Sequence, residues 1–291
     1  MPGLQPRILV TGANGQLGRL VVDKLLETTP ATQIAAMVRD EAAAARFTAR
    51  DVQVRMADYT RPETLDAAFG GIDRLLLISS NAVGQRTSQH RNVIAAAARA
   101  HVKLLAYTSV LRADTTRLAL AEEHRQTESD LRASGIPFVL LRNGWYTENI
   151  AASIPSDLQH GAHLGSAGEG RFSTAARADY AEAAAAVLVA EQDQRGRVYE
   201  LAGDEAFTLS EFARQVAHLS GKPVEYRNLP EADFKAVLIG AGLPEPLAAM
   251  LANADSAASA GALFDDGHQL SDLIGHRTTP FATTIAASLG S

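Results

Sequence analysis

The stretch ILVTGANGQLG, residues 8–18, decides the fold of this chain. It joins three apolar β-forming residues to a G-x-x-G-x-x-G motif, and apolar residues at helical spacing follow it. This order predicts a strand, a glycine turn and the start of a helix. Gly12 suits the tight turn, Gly15 lets a pyrophosphate approach the backbone, and Gly18 lets the helix pack on the strand. The N–H groups of the first helical turn then face an anion, so the stretch predicts dinucleotide binding. A purely structural glycine turn is the alternative.

The residue after the second predicted strand bears on the choice of dinucleotide. The strand is expected over residues 33–38, and Arg39 follows it directly. NAD-preferring sites usually place Asp or Glu there for the ribose 2′-OH, whereas Arg accommodates a 2′-phosphate. Asp40 could instead serve the ribose, and a solvated surface charge is the other interpretation of Arg39. We expect NADPH to be preferred.

Length and composition are typical of a soluble enzyme. The chain has 291 residues, of which 46% are hydrophobic and 21% charged. A net charge of −6 without a dense Lys/Arg run argues against a nucleic-acid partner. The absence of cysteine excludes disulfides, thiolate metal sites and a cysteine nucleophile. No apolar run is long enough to span a membrane, and the first strand begins too early for a signal peptide. We expect a cytoplasmic protein.

Alternating elements predict the fold class. Strands are expected over 33–38, 52–56, 75–78, 102–108 and 138–141, and helices over 40–50, 62–69, 89–100 and 120–134. This alternation predicts an α/β protein with a Rossmann doubly wound parallel sheet. Its ligand is expected at the carboxyl ends of the strands.

The pattern changes after residue 143. Glycines between 161 and 170 predict a loop, followed by a helix over 180–191 and a strand over 198–201. Thr208-x-x-Glu211 is a capping box, and a small strand is expected over 224–228. We therefore predict an NADP-binding Rossmann domain and a smaller C-terminal α/β lobe. The domain comprises 1–143, completed by about 172–202, and the lobe comprises 144–171 and 203–291.

Several further motifs connect the chain to a known family. They are TGANGQLG at 11–18, MVRD at 37–40, LLLISS at 75–80, VGQRTSQHRNVI at 83–94, AYTS at 106–109, SGIPFVLLRNGWYTEN at 134–149, YELAGDEAFTL at 199–209 and LFDDG at 263–267. The chain resembles the NmrA-like family of atypical short-chain dehydrogenases, and within it the bacterial NADPH:quinone oxidoreductases. The resemblance implies a Rossmann fold, NADPH as cofactor and a small-molecule quinone as acceptor in a two-electron reduction.

The resemblance also implies which residues bind the cofactor. The phosphate loop comprises Gly12, Ala13, Asn14, Gly15, Gln16 and Leu17. Arg39 contacts the 2′-phosphate. At the end of the fourth strand, the nicotinamide ribose lies beside Ser79, Ser80 and Asn81. The nicotinamide side is lined by Asn143, Gly144, Trp145 and Tyr146.

The usual catalytic pair of the dehydrogenase superfamily is missing. None of the six tyrosines has Lys four residues later. Related plant reductases place a Lys on the helix before the sixth strand, and His124 occupies that position here. His124 could donate a proton in place of that Lys, although the change from Lys to His puts this role in doubt. The alternative is a surface or structural histidine. Ketone reduction gives a basic alkoxide that needs a positioned acid, whereas the less basic hydroquinone anion can take its proton from water. The missing pair therefore favours a quinone.

Asn143, Trp145 and Tyr146 are expected near the acceptor, with Asn143 and Tyr146 positioning it. A core role for Trp145 and a backbone-bonding role for Asn143 are the alternatives. Gln85, Arg86 and His90 begin a helix, and we expect capping and surface roles for them.

Two functions remain open from the sequence. The favoured one is NADPH-dependent hydride transfer to a quinone, without flavin or metal. The alternative is an NADP(H)-sensing regulatory binding protein without catalysis, since such a protein would also lack the Tyr/Lys pair. The sequence leaves the oligomeric state open.

Overall fold

A computed structural model describes residues 7–290. The expectation that no signal peptide precedes the first strand concerns residues 1–6, which lie outside the described residues. None of the helices formed by residues 7–290 is long and apolar enough to cross a membrane. Within the same range, no three His, Asp or Glu side chains are grouped as metal ligands would be.

Strands and helices alternate through the first half of the chain. They are β1 (Ile8–Val10), α1 (Gln16–Thr28), β2 (Ile34–Val38), α2 (Glu41–Thr48), β3 (Gln53–Met56), α3 (Pro62–Phe69), β4 (Arg74–Leu77), α4 (Arg86–Arg99), β5 (Leu104–Val110), α5 (Ala121–Ala133) and β6 (Phe138–Asn143). A 3-10 turn over Ala31–Gln33 precedes β2.

The second half is richer in short elements. They are α6 (Thr147–Ala151), α7 (Ile154–His160), β7 (Ala162–Gly165), β8 (Arg171–Phe172), α8 (Arg177–Val189), β9 (Val198–Leu201), β10 (Phe207–Thr208), α9 (Leu209–Ser220), β11 (Glu225–Asn228), α10 (Glu231–Gly240), α11 (Glu245–Ser259), α12 (Gln269–Ile274) and α13 (Phe281–Leu289).

The central sheet has seven strands in the order β3-β2-β1-β4-β5-β6-β9. β1 pairs in parallel with β2 on one side and with β4 on the other. The chain therefore winds outward from β1 in one direction and then from β4 in the other. The predicted doubly wound Rossmann sheet is confirmed. The reversal between β1 and β4 is the place where such sheets bind ligands, at the carboxyl ends of the strands.

The chain divides into two compact units. The first unit holds the chain up to Val110, Glu123–Arg142 and Tyr180–Tyr199, and the second unit holds Leu111–Glu122, Asn143–Asp179 and the chain from Glu200 onward. The second is nearly as large as the first.

The predicted domain bounds assign residues 111–122, 172–179 and 200–202 to the Rossmann domain, whereas the structure groups them with the second unit. The following bonds concern the first of these segments. The Leu111 N–H donates to the Asn143 carbonyl at 2.9 Å, and the Arg112 N–H donates to Glu200 Oε2 at 2.7 Å. The Ala119 N–H donates to Asn253 Oδ1 at 2.8 Å. These bonds join the segment after β5 to residues distant in sequence, which no local pattern reveals.

The core of the first unit lies along the sheet. β1, β2 and β5 are buried at every residue, as expected of parallel strands covered on both faces. The buried face of α1 comprises Leu17, Gly18, Val21, Val22 and Leu25. Packing this apolar stripe on the sheet fixes the direction of α1 and hence the position of the glycine turn before it.

The second unit has two small sheets and a cluster of aromatic rings. β7 pairs in parallel with β11, and β8 pairs antiparallel with β10. The ring of Phe207 stacks on that of Phe281 with centroids 4.3 Å apart, and on those of Phe172 and Phe212 at longer range. The predicted capping box starts α9, with both reciprocal bonds between Thr208 and Glu211 present.

The prediction of a loop over 161–170 is wrong in part, because β7 lies within it. The glycines there have other roles. Gly161 ends α7 in the left-handed conformation, and a Cβ at Gly165 would lie 2.7 Å from Asp255 Oδ2. Some bounds also differ: α4 begins at Arg86 instead of residue 89, and β6 continues to Asn143.

Candidate dinucleotide and acceptor site

The glycine turn presents an open helix start in the first unit. Gly12 adopts a φ of +57°, which a side chain would disfavour, and a Cβ at Gly18 would lie 2.4 Å from the Gly12 carbonyl oxygen. Gly15 is the N-cap residue of α1, and no side chain bonds the helix start. The first turn contains no acidic residue. The N–H groups of this turn can therefore donate hydrogen bonds to an anion.

The side chains of Thr11 and Tyr59 fix the turn by hydrogen bonds, a role that the sequence did not reveal. Thr11 Oγ1 donates to the Leu76 carbonyl at 2.8 Å and accepts the Ile78 N–H at 3.0 Å. The Tyr59 hydroxyl bonds Thr11 Oγ1 and lies 3.1 Å from the Ile78 carbonyl. Burial raises the pKa of Tyr59, so the phenol stays protonated. These bonds join the ends of β1 and β4 at the reversal point of the sheet.

Arg39 is exposed at the end of β2, beside β1. Asp40, the alternative ribose ligand, is the N-cap residue of α2, and its Oδ1 accepts the Ala43 N–H at 2.8 Å. Burial raises the pKa of Asp58, but bonds from Thr60 and the charges of Arg39 and Arg61 bring it below its usual value. Asp58 therefore stays ionised near Arg39.

The segment Ser79–Asn81 follows β4 and is tightly held in the first unit. The Ser79 N–H donates to Thr108 Oγ1 at 2.8 Å, and Ser80 Oγ accepts the Ala82 N–H at 3.1 Å. The peptide N–H and carbonyl of Ser80 also bond side chains of α4, His90 and Arg86. The segment is thus a rigid wall at the carboxyl end of β4.

Asn143 and Tyr146 lie together in the second unit. Asn143 is the last residue of β6, is 6% exposed, and its Nδ2 lies 3.5 Å from the Tyr146 hydroxyl. The buried Oδ1 of Asn143 has no hydrogen-bond partner among the described residues. The Gly144 N–H donates to the Leu201 carbonyl at 2.7 Å, which fixes the turn between the two side chains.

Tyr146 is half-buried, and Arg177 packs on it, a contact the sequence did not reveal. The guanidinium carbon of Arg177 lies 4.7 Å from the ring centroid. Burial raises the pKa of Tyr146, although the Asn143 bond and the charge of Arg177 oppose this. The phenol is therefore a neutral hydrogen-bonding group. Trp145 is half-buried, and its carbonyl accepts the Ala175 N–H at 3.3 Å.

His124 is a buried structural residue of the first unit. It is 4% exposed, and its Nδ1 lies 2.7 Å from the Tyr107 hydroxyl. Burial and the charge of Arg86 hold the pKa of His124 well below its usual value. The imidazole is therefore uncharged near neutral pH, which disfavours a role as a proton donor.

The prediction that Arg86 and His90 have capping and surface roles is wrong. Arg86 is 7% exposed and His90 is fully buried. The cause is the packing of α4 on the loop after β4, where both side chains bond the backbone of Ser80. Gln85 is exposed and is the N-cap residue of α4, but its side chain makes no capping bond.

Geometry in each unit fits part of a nicotinamide dinucleotide. In the first unit, the open helix start and Arg39 offer N–H groups and a positive charge to phosphates, and they follow neighbouring strands β1 and β2. In the second unit, the unpartnered Oδ1 of Asn143 requires a hydrogen-bond donor, such as a carboxamide N–H or a hydroxyl.

Comparison with known proteins agrees with this geometry. A family model described as NAD(P)H-binding matches residues 12–191, which include the glycine turn, Arg39 and the Ser79–Asn81 segment. The chain belongs to this NAD(P)H-binding family. The resemblance to NmrA-like proteins is confirmed as well. An NmrA-like family domain-containing oxidoreductase of Aspergillus flavus is 29% identical over 78% of this chain and 76% of its own.

Two bacterial relatives match almost the whole chain. Quinone oxidoreductase 2 of Escherichia coli is 53% identical over 96% of this chain and 97% of its own. Its crystal structure with NADPH covers 96% of this chain and 99% of its own, with a TM-score of 0.94. The triphenylmethane reductase of Citrobacter sp., complexed with NADP(H), is 36% identical over 97% of this chain and 99% of its own, with a TM-score of 0.92.

Proposed function

We propose that this protein is an NADPH-dependent oxidoreductase that reduces a small quinone by two electrons, without flavin or metal. The observation that carries the proposal is the 53% identity, over 96% of the chain, with a protein named quinone oxidoreductase 2. The open helix start in the first unit and the neutral polar pair in the second support it.

In this proposal each group of residues has its own role. Residues 12–17 bind the pyrophosphate, Arg39 binds the 2′-phosphate, and Ser79–Asn81 support the nicotinamide ribose. Bound NADPH supplies a hydride from its nicotinamide ring. A quinone has only acceptor oxygens, so Asn143 Nδ2 and the Tyr146 hydroxyl donate the hydrogen bonds that orient it, and positioning accounts for most of the rate.

The proton inventory also favours a quinone. A quinone that accepts a hydride becomes a hydroquinone anion, which needs one proton to give the hydroquinone. The chain has no Tyr-x-x-x-Lys pair, and the low pKa of His124 keeps its imidazole uncharged near neutral pH, so it is a poor general acid. Water can protonate the delocalised anion, whereas an alkoxide from a ketone would need a positioned acid.

The experiment follows NADPH oxidation by purified protein, free of flavin absorbance, with and without 1,4-benzoquinone. We expect oxidation that requires both protein and quinone and that does not increase on adding flavin. Gly15→Val is the matched control. Gly15 has an ordinary φ of −71°, and a Cβ there would lie 3.2 Å from the Gly12 carbonyl oxygen, so circular dichroism must first show that the variant is folded. Its side chain would occupy the approach of the pyrophosphate. Tight NADPH binding without oxidation at any quinone concentration would contradict the proposal and favour the NADP(H)-sensing alternative.

A further inference from the structure

Buried side chains bond both backbone polar groups of Ser80, a residue in the loop after β4. The Ser80 N–H donates to His90 Nε2 at 3.0 Å, and Arg86 Nε donates to the Ser80 carbonyl at 2.7 Å. Arg86 and His90 are four residues apart in α4 and therefore lie on one face of the helix. Two consecutive helical turns thus hold both polar groups of one residue in the loop.

The bonds of His90 fix its tautomer. Because Nε2 accepts from Ser80, the proton of a neutral ring must be on Nδ1, which lies 3.0 Å from Thr127 Oγ1. Thr127 Oγ1 in turn donates to the Glu123 carbonyl at 2.8 Å, so it is free to accept from the ring. In this series of hydrogen bonds from Ser80 through His90 and Thr127 to Glu123, every donor has an acceptor. A protonated imidazole could not accept from the Ser80 N–H.

The surroundings of His90 oppose protonation and rotation of the ring. Burial, followed by the charge of Arg86, lowers the pKa of His90 to about 3. The ring meets the Tyr107 ring edge-on at a centroid distance of 5.4 Å, and the Tyr59 ring at 6.3 Å. His90 therefore keeps its acceptor pointed at Ser80 over the pH range in which an enzyme works.

Arg86 also connects, through Glu123, to Gly84 in the loop between β4 and α4. Its Nη1 lies 3.3 Å from Glu123 Oε2, and Glu123 Oε1 accepts the Gly84 N–H at 3.1 Å. The loop between β4 and α4 is thus tied at Ser80 and at Gly84 by groups that all belong to the first unit.

We propose that Arg86 and His90 form a clamp that positions the Ser79–Asn81 wall for the nicotinamide half of NADPH. They are positioning residues, since they act through the backbone N–H and carbonyl of Ser80. The inference rests on the proposed function, which gives Ser79–Asn81 their place beside the nicotinamide ribose. The clamp should therefore matter for NADPH and not for ligands that lack the nicotinamide half.

The test compares His90→Leu and His90→Gln by calorimetric titration with NADPH and with 2′,5′-ADP, in the absence of quinone. His90→Leu removes the acceptor for Ser80, and we expect the Kd for NADPH to rise about tenfold while that for 2′,5′-ADP stays unchanged. His90→Gln offers an amide oxygen to the Ser80 N–H and should recover most of the NADPH affinity. A general loss of structure would weaken both ligands together.

Two further variants complete the design. His163 is a buried histidine of the second unit, bonded to Asp157 at 2.9 Å, and His163→Leu is the matched control for loss of a buried imidazole. It should lower the melting temperature without separating the two ligands. If His90→Leu fails to fold, Arg86→Met removes the donor to the Ser80 carbonyl and should again weaken NADPH alone.

The outcomes are distinguishable. Unchanged NADPH affinity in folded His90→Leu, or an equal loss for both ligands, overturns the clamp and leaves the proposed function standing. Unmodified protein that binds neither ligand overturns the proposed function and the clamp with it.

Discussion

The hydroxyl of Tyr107 and Nδ1 of His124 lie 2.7 Å apart in the interior of the first unit. This bond and the low pKa of His124 indicate that the histidine has a structural role and not a catalytic one. The family resemblance suggested His124 as a proton donor, but its imidazole is neutral and already bonded.

His124→Ala should therefore reduce turnover with a quinone by less than about tenfold, whereas loss of a general acid typically costs a hundredfold or more. The variant should be less stable by roughly 1–3 kcal/mol, because the buried Tyr107 hydroxyl loses its partner. Steady-state kinetics at a temperature where both proteins are folded checks this. A loss of a thousandfold would show that His124 takes part in the chemistry.

Arg39→Ala should remove most of the preference for NADPH while leaving NADH binding nearly unchanged. A charge-assisted bond to the 2′-phosphate contributes about 1.5–3 kcal/mol, or roughly ten- to a hundredfold in Kd. Arg50→Ala, which removes another exposed arginine, paired with Asp23, is the control and should not change the ratio. Equal Kd values for NADPH and NADH in the unmodified protein would refute the role of Arg39.

Asn143→Ala and Tyr146→Phe should lower kcat/KM for the quinone more than they weaken NADPH binding. Both would remove hydrogen bonds that orient the acceptor, and a displacement of about 1 Å can cost a hundredfold in rate. Kinetics with varied quinone, together with NADPH titrations, separates the two effects. Unaltered kcat/KM in both variants would mean that the acceptor binds elsewhere.

Asp255 gives the second unit a pH-dependent stability. Its Oδ2 accepts the Ser166 N–H at 3.0 Å, yet burial raises its pKa to about 6, against the opposing effect of His163. Between about pH 4 and pH 6 Asp255 is more protonated in the folded protein than in the unfolded chain, so its contribution to the free energy of unfolding falls as the pH rises.

Asp255→Asn keeps an acceptor for Ser166 without the charge. It should raise the free energy of unfolding above pH 6 by about 1–3 kcal/mol and change it little below pH 4. Urea unfolding from pH 4 to pH 8 measures this. A variant that is less stable than the unmodified protein at pH 7 would show that the carboxylate is stabilising.

The parts of the site that the sequence predicted are contiguous in the chain. The turn from Gly12 to Gly18 and the position of Arg39 after β2 follow from local spacing, and the structure has both elements as expected. The missed residues act across the sheet. The side chain of Thr11 bonds the backbone of β4, and that of His90 bonds the backbone of Ser80. Local spacing in the sequence predicts neither bond.

Burial of polar residues was the hardest feature to predict. Arg86 and His90 have the composition of an exposed helix start, and only the packing of α4 on the loop after β4 turns them inward. Their spacing of four residues, directly after a polar segment that ends a strand, is the signal that could have identified them.

Hydride transfer to a quinone is tested most directly by a single anaerobic turnover with NADPH and 1,4-benzoquinone, in which the products are counted. Purified protein without flavin should form one hydroquinone for each NADPH oxidised, and the Gly15→Val variant should form none. A semiquinone radical detected by electron paramagnetic resonance as the first product, or NADPH bound and left unoxidised, would contradict two-electron hydride transfer.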